Sequence, residues 1–392
     1  MKEKKSMSGE GVTVVTCARA PPQISGTGTV MYELLRHFPK FSIILFSRKQ
    51  RQTISRDDRV LPFATYDVGR ASSVTFATFV RIVLLPLLVL SMLIRIKMSR
   101  RPVRNVLAVF PDLDFLLASL VVAKILNVPI FVYLHDCMTE TATQIMDKTA
   151  SKLAEKWVFS KAAKVYAMSA PMEKYYRDRN LRTEALPHGV DASLIRSAGD
   201  RPCGGKPRVG IAGAVYETNG SAIKDLVDAK KASGDSFEIH MATSEQSIPY
   251  LRMLGVKDHM DKIGTFPSHS AMLDFLSSCD ILFVPMSFES PNYKDLLTIF
   301  PTKVTDYWLA QKPILVYGPR EYAFVPLAER DGYAKIVSER GSAGLQKAIQ
   351  ELCRDSAQRA ALLKASRKMI ELHEGKALAK RLMADLGITK EA

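Results

Sequence analysis

Residues 301–317 read PTKVTDYWLAQKPILVY, and this stretch predicts a helix that leads into a buried strand. Apolar residues recur at helical spacing as far as Trp308, and Pro313 cannot continue a helix. Thr302 stands where its hydroxyl could cap the exposed amide groups of the first turn. Residues 314–317 are apolar and precede Gly-Pro, which is typical of a short core strand that ends in a turn. We therefore expect the helix to begin next to Thr302 and the strand to lie in the core.

Two charged residues share one face of this helix near its N-terminus. Lys303 and Asp306 are three positions apart, so their side chains are neighbours. The free amide groups and the dipole of a helix N-terminus attract phosphate, and a lysine adds positive charge there. Asp306 could accept hydrogen bonds from sugar hydroxyls, which suits a nucleoside diphosphate and its ribose. A surface helix with an ordinary ion pair has the same spacing, so the rest of the chain has to decide between the two interpretations.

The composition is that of a globular protein with room for two domains. The chain has 392 residues, of which 47% are hydrophobic and 24% are charged. Its five cysteines are scattered and contain no CxxC pair, which favours a reducing compartment over a disulfide scaffold or a zinc site. The N-terminus lacks the apolar segment of a secretory signal, and the histidines lack metal-ligand spacing. We expect a cytoplasmic protein without a metal site or a resident cofactor.

Buried strands alternate with helices along most of the chain, which predicts parallel sheets covered by helices on both faces. The alternation pauses at residues 196–207, RSAGDRPCGGKP, whose glycines and prolines are typical of a linker. We therefore predict an α/β protein with two Rossmann-like domains, residues 1–198 and 199–392. The helical patterns of residues 342–386 are expected in the second domain or packed back on the first.

Residues 79–104 join the most apolar stretch of the chain to its densest basic cluster. The uncharged core, Ile82 to Ile94, has 13 residues, whereas a spanning helix needs about 20. Residues 95–104 contain five basic side chains and no acidic ones, which suits monotopic contact with an anionic bilayer. A buried core helix followed by a solvated basic turn is the alternative. The expected contact residues are Leu84, Leu85, Leu88, Arg95, Lys97, Arg100 and Arg101.

The formal net charge of +15 is compatible with two kinds of partner, nucleic acid and an anionic membrane surface. The sequence contains no recognisable nucleic-acid-binding motif. We therefore expect the membrane surface, and no nucleic acid, to be the partner of the basic residues.

Four stretches carry a resemblance to a known family. SGTG at 25–28 follows the first strand, and VYAMS at 165–169 precedes LPHGVD at 186–191. The third stretch is SSCDILFVP at 277–285, and the fourth is the helix and strand described first. Their order resembles the glycosyltransferases of the two-Rossmann-domain GT-B fold, especially those of family 4.

The resemblance implies an acceptor on the first domain and a nucleotide-sugar donor on the second, facing each other across a cleft. Glu289 stands near the family's carboxylate that touches the donor sugar. Thr302 and Lys303 match the phosphate-facing end of the family's helix, and Asp306 stands at the ribose-binding glutamate. The other donor-binding positions implied by the resemblance are Gly26, Gly28 and Gly213.

The chain departs from the family after the first strand of the second domain. Members of family 4 usually carry an arginine and a lysine for the diphosphate there, whereas GAVYETN at 213–219 contains neither. Lys303 is therefore expected to carry more of the phosphate charge. In this respect the chain is similar to a smaller group of bacterial exopolysaccharide transferases, such as the membrane-associated glucuronosyltransferases. Those enzymes invert configuration with an aspartate base of the first domain.

Asp136 is the candidate for that base. It follows directly after the expected strand 129–134, and ligands of open α/β sheets bind beyond the carboxyl ends of the strands. An aspartate there could remove the proton of an acceptor hydroxyl, and His135 beside it could contact the donor sugar. The alternative is that both residues only cap the next helix.

These observations predict a glycosyltransferase of polysaccharide or glycoconjugate synthesis. It would move a hexosyl or glycuronosyl group from a nucleotide-sugar to a membrane-held acceptor, such as a lipid-linked glycan, at the inner face of the cell membrane. Asp136 would be the base if the enzyme inverts, and Glu289 would help to hold the sugar if it retains. The alternatives are a non-catalytic, membrane-associated protein of the same fold that serves as a nucleotide-sugar-binding protein or as a scaffold, and a sugar-nucleotide epimerase of the same fold.

Overall fold

The computed structural model describes residues 11–21, 25–49, 61, 63, 65–70, 83–138, 145–197, 203, 205–290 and 296–388. The chain divides into two compact units. The first unit comprises residues 1–187 together with 375–392, and the second unit comprises residues 188–374. Residues 79–82 of the apolar stretch and part of the expected linker lie outside the described residues.

The boundary between the units lies earlier in the chain than the expected one at 198–199. Val190 forms an isolated parallel bridge with Glu374, and its amide donates a hydrogen bond to the carbonyl of His373 (2.8 Å). The imidazole Nδ1 of His373 is 2.9 Å from the carbonyl oxygen of His188. These bonds attach the segment after Pro187 to the second unit, whereas the chain after Glu374 returns to the first unit.

The first unit contains a parallel sheet whose described strands are ordered β3-β2-β1-β4-β5-β6-β7. The strands are β1 (Val12–Thr16), β2 (Ile43–Lys49), β3 (Thr65–Arg70), β4 (Val103–Phe110), β5 (Ile130–Leu134), β6 (Lys164–Ala167) and β7 (Glu184–Ala185). The helices are α1 (Gly26–Leu35), α2 (Leu85–Ser99), α3 (Leu113–Leu126), α4 (Ile145–Lys161), α5 (Ala170–Arg177) and α13 (Gly375–Asp385). Strands β1 to β3 are added toward one edge of the sheet, and β4 to β7 are added toward the other edge. The strand order therefore reverses between β1 and β4, and open α/β sheets bind ligands at such a switch point.

Two apolar clusters cover the two faces of this sheet. Helix α1 packs on one face through Val30, and α13 packs beside it through Leu382. Helices α2, α3 and α4 cover the other face, with Met92, Phe115 and Val158 in the core. The central strands are buried on both faces, which is why they read as continuous apolar runs in the sequence.

The second unit contains a parallel sheet whose described strands are ordered β10-β9-β8-β11-β12-β13. The strands are β8 (Arg208–Ala212), β9 (Glu238–Ala242), β10 (Lys262–Gly264), β11 (Ile281–Pro285), β12 (Ile314–Tyr317) and β13 (Ala334–Val337). The helices are α6 (Glu217–Ala232), α7 (Ile248–Met253), α8 (His269–Ser277), α9 (Lys303–Ala310), α10 (Phe324–Asp331), α11 (Ser342–Arg354) and α12 (Ser356–Leu372). Its switch point lies between β8 and β11. Each unit is thus a parallel sheet with helices packed on it, which agrees with the predicted α/β class.

Helix α9 follows the prediction, except for its cap. The helix begins at Lys303, and it ends at Ala310 because Gln311 adopts the left-handed conformation (φ 52°). The prediction that Thr302 caps the helix with its side chain is wrong. The backbone of Thr302 is already helical (φ −56°, ψ −28°), and its hydroxyl makes no capping bond.

The SGTG stretch forms the start of a helix. Helix α1 begins at Gly26, so Gly26 and Gly28 both lie in its first turn. Ser25 is the N-cap, and its hydroxyl accepts a hydrogen bond from the amide of Gly28 (2.9 Å). The amide of Gly28, one of the expected donor-binding positions, is therefore hydrogen-bonded within the helix start.

Candidate donor and catalytic sites

Helix α9 is held against strands β8 and β11 by one buried tyrosine. The hydroxyl of Tyr307 accepts a hydrogen bond from the amide of Ala212 at the end of β8 (2.8 Å). The same hydroxyl donates to the carbonyl of Phe283 in β11 (3.1 Å). Burial of this side chain raises the pKa of Tyr307, so the hydroxyl keeps the proton that it donates. The first turn of α9 is therefore fixed at the switch point of the second unit.

Lys303 lies against the turn that follows β8. A Cβ atom built on Gly213 would lie 3.6 Å from the Nζ atom of Lys303, and Gly213 itself has a φ of +96°. Burial lowers the pKa of Lys303 from 10.5 to about 8, because removal from water disfavours the charged form. The amino group of Lys303 thus lies between the N-terminus of α9 and a turn that contains Gly213. The backbone amides of such a turn can approach a phosphate closely.

The turn after β8 leads directly into α6. The amide of Tyr216 donates to the side-chain oxygen of Asn219 (2.9 Å), and the side-chain amide of Asn219 donates to the carbonyl of Ala214 (3.1 Å). These bonds fix the turn with neutral groups. Lys303 supplies a positive charge beside Gly213, whereas residues 213–219 themselves contain no arginine or lysine.

Asp306 lies one turn after Lys303 and is held by a histidine. Its Oδ1 atom is 2.7 Å from the Nε2 atom of His269, the first residue of α8. Both side chains are largely buried, with 8% of His269 and 16% of Asp306 exposed. Sequence analysis missed His269, since a separation of 37 residues gives no local pattern that links the two.

Glu289 follows the carboxyl end of β11 and is exposed at the surface of the second unit. Its side chain is 80% exposed and is paired with Arg340 (3.0 Å), which also approaches Asp225 (3.4 Å). Arg340 follows β13, and Glu289 follows β11. A role for Glu289 at the donor sugar therefore requires that its pairing with Arg340 changes.

In the first unit, Asp136 follows β5 and is half-buried. Burial raises the pKa of Asp136 from 3.8 to about 6, with the positive charge of Arg19 acting to lower it and the carboxylate of Asp112 to raise it. The neighbouring His135 is buried, and its ring packs edge-on against Tyr133 with 4.4 Å between the ring centroids. A carboxylate with this pKa is ionised at neutral pH and remains a useful proton acceptor.

Another ion pair, which sequence analysis missed, lies at this edge of the first unit. The guanidinium of Arg48 at the end of β2 donates to both carboxylate oxygens of Asp114 (2.7 and 2.8 Å). It also approaches Asp112 (3.4 Å). These contacts fix the loop between β4 and α3, and they place the carboxylate of Asp112 where it acts on Asp136.

Helix α2 turns one apolar side to the core and another to the surface. Val89, Met92 and Ile96 are buried, and Leu85 and Leu88 pack partly buried against the same cluster. Leu85 and Leu88 are therefore less suited to membrane contact than the sequence suggested. The exposed apolar side chains are Val83, Leu84, Leu87, Leu90, Ile94 and Met98. Among the described residues, no helix combines the length and the apolar character that crossing a bilayer requires.

The expected basic residues accompany this exposed side. Lys97 and Arg100 are exposed at the end of α2, and Arg101 is partly exposed. The guanidinium of Arg95 instead lies 5.3 Å from the centre of the Tyr66 ring. The basic cluster therefore divides into two residues that contact the protein, Arg95 and Arg104, whose guanidinium donates to the carbonyl of Gly387, and others that face outward.

Comparison with known proteins identifies the fold. No family model and no curated protein sequence matches the chain. Among solved structures, sucrose-phosphate synthase from Thermosynechococcus elongatus is similar, with 14% identity, a TM-score of 0.73 and coverage of 95% of this chain and 97% of that one. HepE of Anabaena in complex with UDP and glucose has 12% identity, a TM-score of 0.69 and coverage of 97% and 100%.

WaaG, a glycosyltransferase involved in lipopolysaccharide biosynthesis, is similar over 96% of this chain and 99% of its own, with 12% identity and a TM-score of 0.63. The likeness in each case spans both units and nearly all of the other chain. The chain therefore has the two-domain α/β fold of the GT-B glycosyltransferases.

Proposed function

We propose that this protein is a glycosyltransferase that moves a sugar from a nucleotide-sugar donor to a membrane-held acceptor. The observation that carries the proposal is the position of Lys303 against Gly213, at the N-terminus of α9 and one turn before Asp306. A diphosphate would be neutralised by Lys303 and the helix terminus. The ribose hydroxyls would donate hydrogen bonds to Asp306.

The same groups would favour the chemical step. When the bond between the sugar C1 atom and the diphosphate oxygen breaks, negative charge grows on the leaving diphosphate. Lys303 and the amide groups of the first turn are already in place, so they would stabilise this charge without reorganising. In the inverting form of the reaction, Asp136 takes the proton of the acceptor hydroxyl while that oxygen attacks C1. In a retaining form of the reaction, the carboxylate of Glu289 would break its ion pair with Arg340 and bind the donor sugar.

A screen of nucleotides by thermal shift tests the donor site directly. UDP, GDP, ADP and their common sugars would be compared, beginning with UDP because HepE structures hold UDP and UDP-glucose. A ligand at 100 times its Kd stabilises a protein by about 2.7 kcal/mol, which corresponds to a rise in Tm of several degrees. One nucleotide should produce this rise.

If the protein is well folded and no nucleotide raises its Tm, the result would contradict the proposed transferase function. It would favour the non-catalytic scaffold, whose support is the lack of an arginine and a lysine in residues 213–219. Epimerisation of a bound nucleotide-sugar without any acceptor would instead favour the epimerase.

The membrane contact is proposed on one face of the first unit. Four apolar side chains of α2 and the two that precede it, Val83 and Leu84, are exposed there, beside Lys97, Arg100 and Arg101. Helix α4 covers the same face of the sheet and exposes Leu153 and Trp157, one turn apart. Apolar side chains that penetrate the head-group region, with lysine and arginine beside them, fit an anionic bilayer. Tryptophan is also favoured at that depth.

Replacing Lys97, Arg100 and Arg101 together with glutamate should release the protein from anionic vesicles. Each basic residue near such a surface contributes about 1 kcal/mol, so partitioning should fall by about 100-fold or more. Sedimentation with vesicles containing phosphatidylserine measures this. The matched control replaces Lys231, Lys364 and Lys368, three exposed lysines of the second unit, with the same change in net charge.

Tryptophan fluorescence supplies a second readout. Trp308 is fully buried and Trp157 is 39% exposed, so vesicles should shift only the emission of Trp157 to the blue and protect it from acrylamide. Trp157→Phe should abolish the change. Equal partitioning of the charge-reversed and control variants would contradict the membrane contact.

A further inference from the structure

We propose that His269 is a positioning residue that sets the carboxylate of Asp306 for a ribose and thereby makes the donor site select ribonucleotides. This inference rests on the proposed function, since it assigns a partner to the carboxylate proposed to bind the ribose. His269 lies on α8, and the sequence pattern of residues 301–317 does not indicate that a residue of another helix takes part. The observation that carries it is the 2.7 Å contact between His269 Nε2 and Asp306 Oδ1.

The chemistry of the contact fixes the direction of the hydrogen bond. An ionised carboxylate only accepts hydrogen bonds, so the Nε2 atom of His269 must carry the proton that is donated. Only 8% of the His269 side chain and 16% of the Asp306 side chain are exposed. A charge-assisted bond is strong in such a setting, because little water competes for either partner.

The imidazole belongs to the first residue of α8, and the start of this helix is capped. Ser268 is the N-cap of this helix, and its hydroxyl accepts a hydrogen bond from the amide of Ala271 (3.2 Å). Helices α8 and α9 share one apolar cluster, to which Leu273 and Trp308 belong. The donor of the bond therefore comes from a rigid element, and it can restrict the two side-chain torsions of Asp306.

A fixed carboxylate has a specific consequence for the ligand. A mobile side chain must be ordered when a ligand binds, and that ordering reduces the affinity. If His269 orders Asp306 beforehand, the ribose hydroxyls meet an acceptor already in position. The benefit applies only to ligands that carry those hydroxyls, so His269 should act on the discrimination between ribose and deoxyribose.

A purely structural role makes a different prediction. In that case the bond would only join α8 to α9, and its loss would lower the Tm and weaken every nucleotide by a similar factor. A positioning role changes the ratio of affinities for two ligands measured on the same variant. This ratio is insensitive to a uniform loss of folded protein.

The experiment measures Kd by calorimetry for UDP and for its 2′,3′-dideoxy analogue, with GDP or ADP pairs substituted if the screen selects another base. The wild-type protein should prefer the ribonucleotide by about 10- to 100-fold, as expected for hydrogen bonds to a charged acceptor. In His269→Ala this preference should fall to about threefold or less, with the Kd of the dideoxy analogue changed by less than about twofold.

Two further variants complete the test. Asp306→Ala should show the same collapse of the preference, and His269→Gln, whose amide can donate in place of Nε2, should retain most of it. Full discrimination in His269→Ala, or an equal weakening of both ligands, would overturn the inference. If Asp306→Ala alone loses the preference, the ribose site stands without His269. If the wild-type protein binds no nucleotide, both the proposed function and this inference fail.

Discussion

Replacing Lys303 with methionine is expected to weaken the binding of a nucleoside diphosphate by about 10- to 100-fold. Methionine keeps the length of the side chain but removes a charge-assisted hydrogen bond to phosphate, which contributes about 1.5–3 kcal/mol. The turnover rate should fall as well, by about 100-fold or more, because the charge that grows on the leaving diphosphate loses a preorganised partner. Calorimetry measures the first effect, and sugar transfer at saturating donor measures the second.

The control for this variant is Lys364→Met, which makes the same chemical change at an exposed position of α12. It should leave both the Kd and the rate within about twofold of the wild-type values. An unchanged Kd in Lys303→Met would contradict the donor site on α9, whatever the fate of the rate.

Loss of binding in Lys303→Met should not come from loss of folding. Burial lowers the pKa of Lys303 from 10.5 to about 8, so the unfolded chain holds this proton more tightly than the folded one. At pH 7 the lysine therefore destabilises the fold, by at most about 3 kcal/mol. That penalty disappears as the pH rises from about 8 through 10.5. Methionine carries no proton, so urea unfolding should show a more stable variant at pH 7 and a smaller gain near pH 10.

The same pKa predicts how donor affinity depends on pH. A diphosphate prefers the charged form of Lys303, so affinity should be greatest below pH 8 and should fall as the lysine loses its proton above it. A nucleotide-sugar is the suitable probe, because its diphosphate stays ionised across this range. In Lys303→Met the alkaline decline should be absent.

The sequence predicted those parts of the fold in which one local signal dominates. Helix α9 and strand β12 were recognised because Pro313 separates a helical period from a four-residue apolar run. The predicted side-chain cap at Thr302 was wrong, because a threonine at a helix start can either cap the helix or join its first turn, and the backbone of Thr302 is already helical. Strand β3, TYDVGR, lacks a continuous apolar run, so it gave no strand signal.

The exposed side of α2 shows a second limit. The segment from Leu84 to Ile94 is apolar throughout, apart from one serine and one proline, so it offers no contrast from which the buried face can be read. The structure buries Val89, Met92 and Ile96 because β3 and α3 lie on that side of the helix. The sequence identified this segment as the most apolar stretch of the chain, but it could not show which leucines face outward.

The residues of the candidate site also differ in whether a local sequence signal indicates them. Lys303 and Asp306 were found because they lie on one turn of one helix and match a family motif. The bond from His269 to Asp306 and the bond from Arg48 to Asp114 join residues on different elements. Such pairs are created by the packing of helices and strands, and nothing in the local sequence specifies them.

Replacing Asp136 with asparagine is expected to reduce the turnover rate by about 100- to 10,000-fold, the range associated with loss of a general base. The amide has the same shape but cannot take the proton of an acceptor hydroxyl. The Kd of the donor should stay within about twofold of the wild-type value, because the proposed contacts with the diphosphate and the ribose, Lys303 and Asp306, lie on the second unit. Asp178→Asn, at an exposed position just after α5, is the matched control.

The dependence of kcat/KM on pH identifies the base more securely than the rate alone. Burial raises the pKa of Asp136 to about 6, and only the ionised form accepts a proton. The rate should therefore fall about tenfold for each pH unit below 6, and this decline should be absent in Asp136→Asn. Arg19 lowers the pKa of Asp136, so Arg19→Gln should move the decline to higher pH. A normal rate in Asp136→Asn would exclude the dedicated base and leave the retaining mechanism, in which Glu289 holds the sugar.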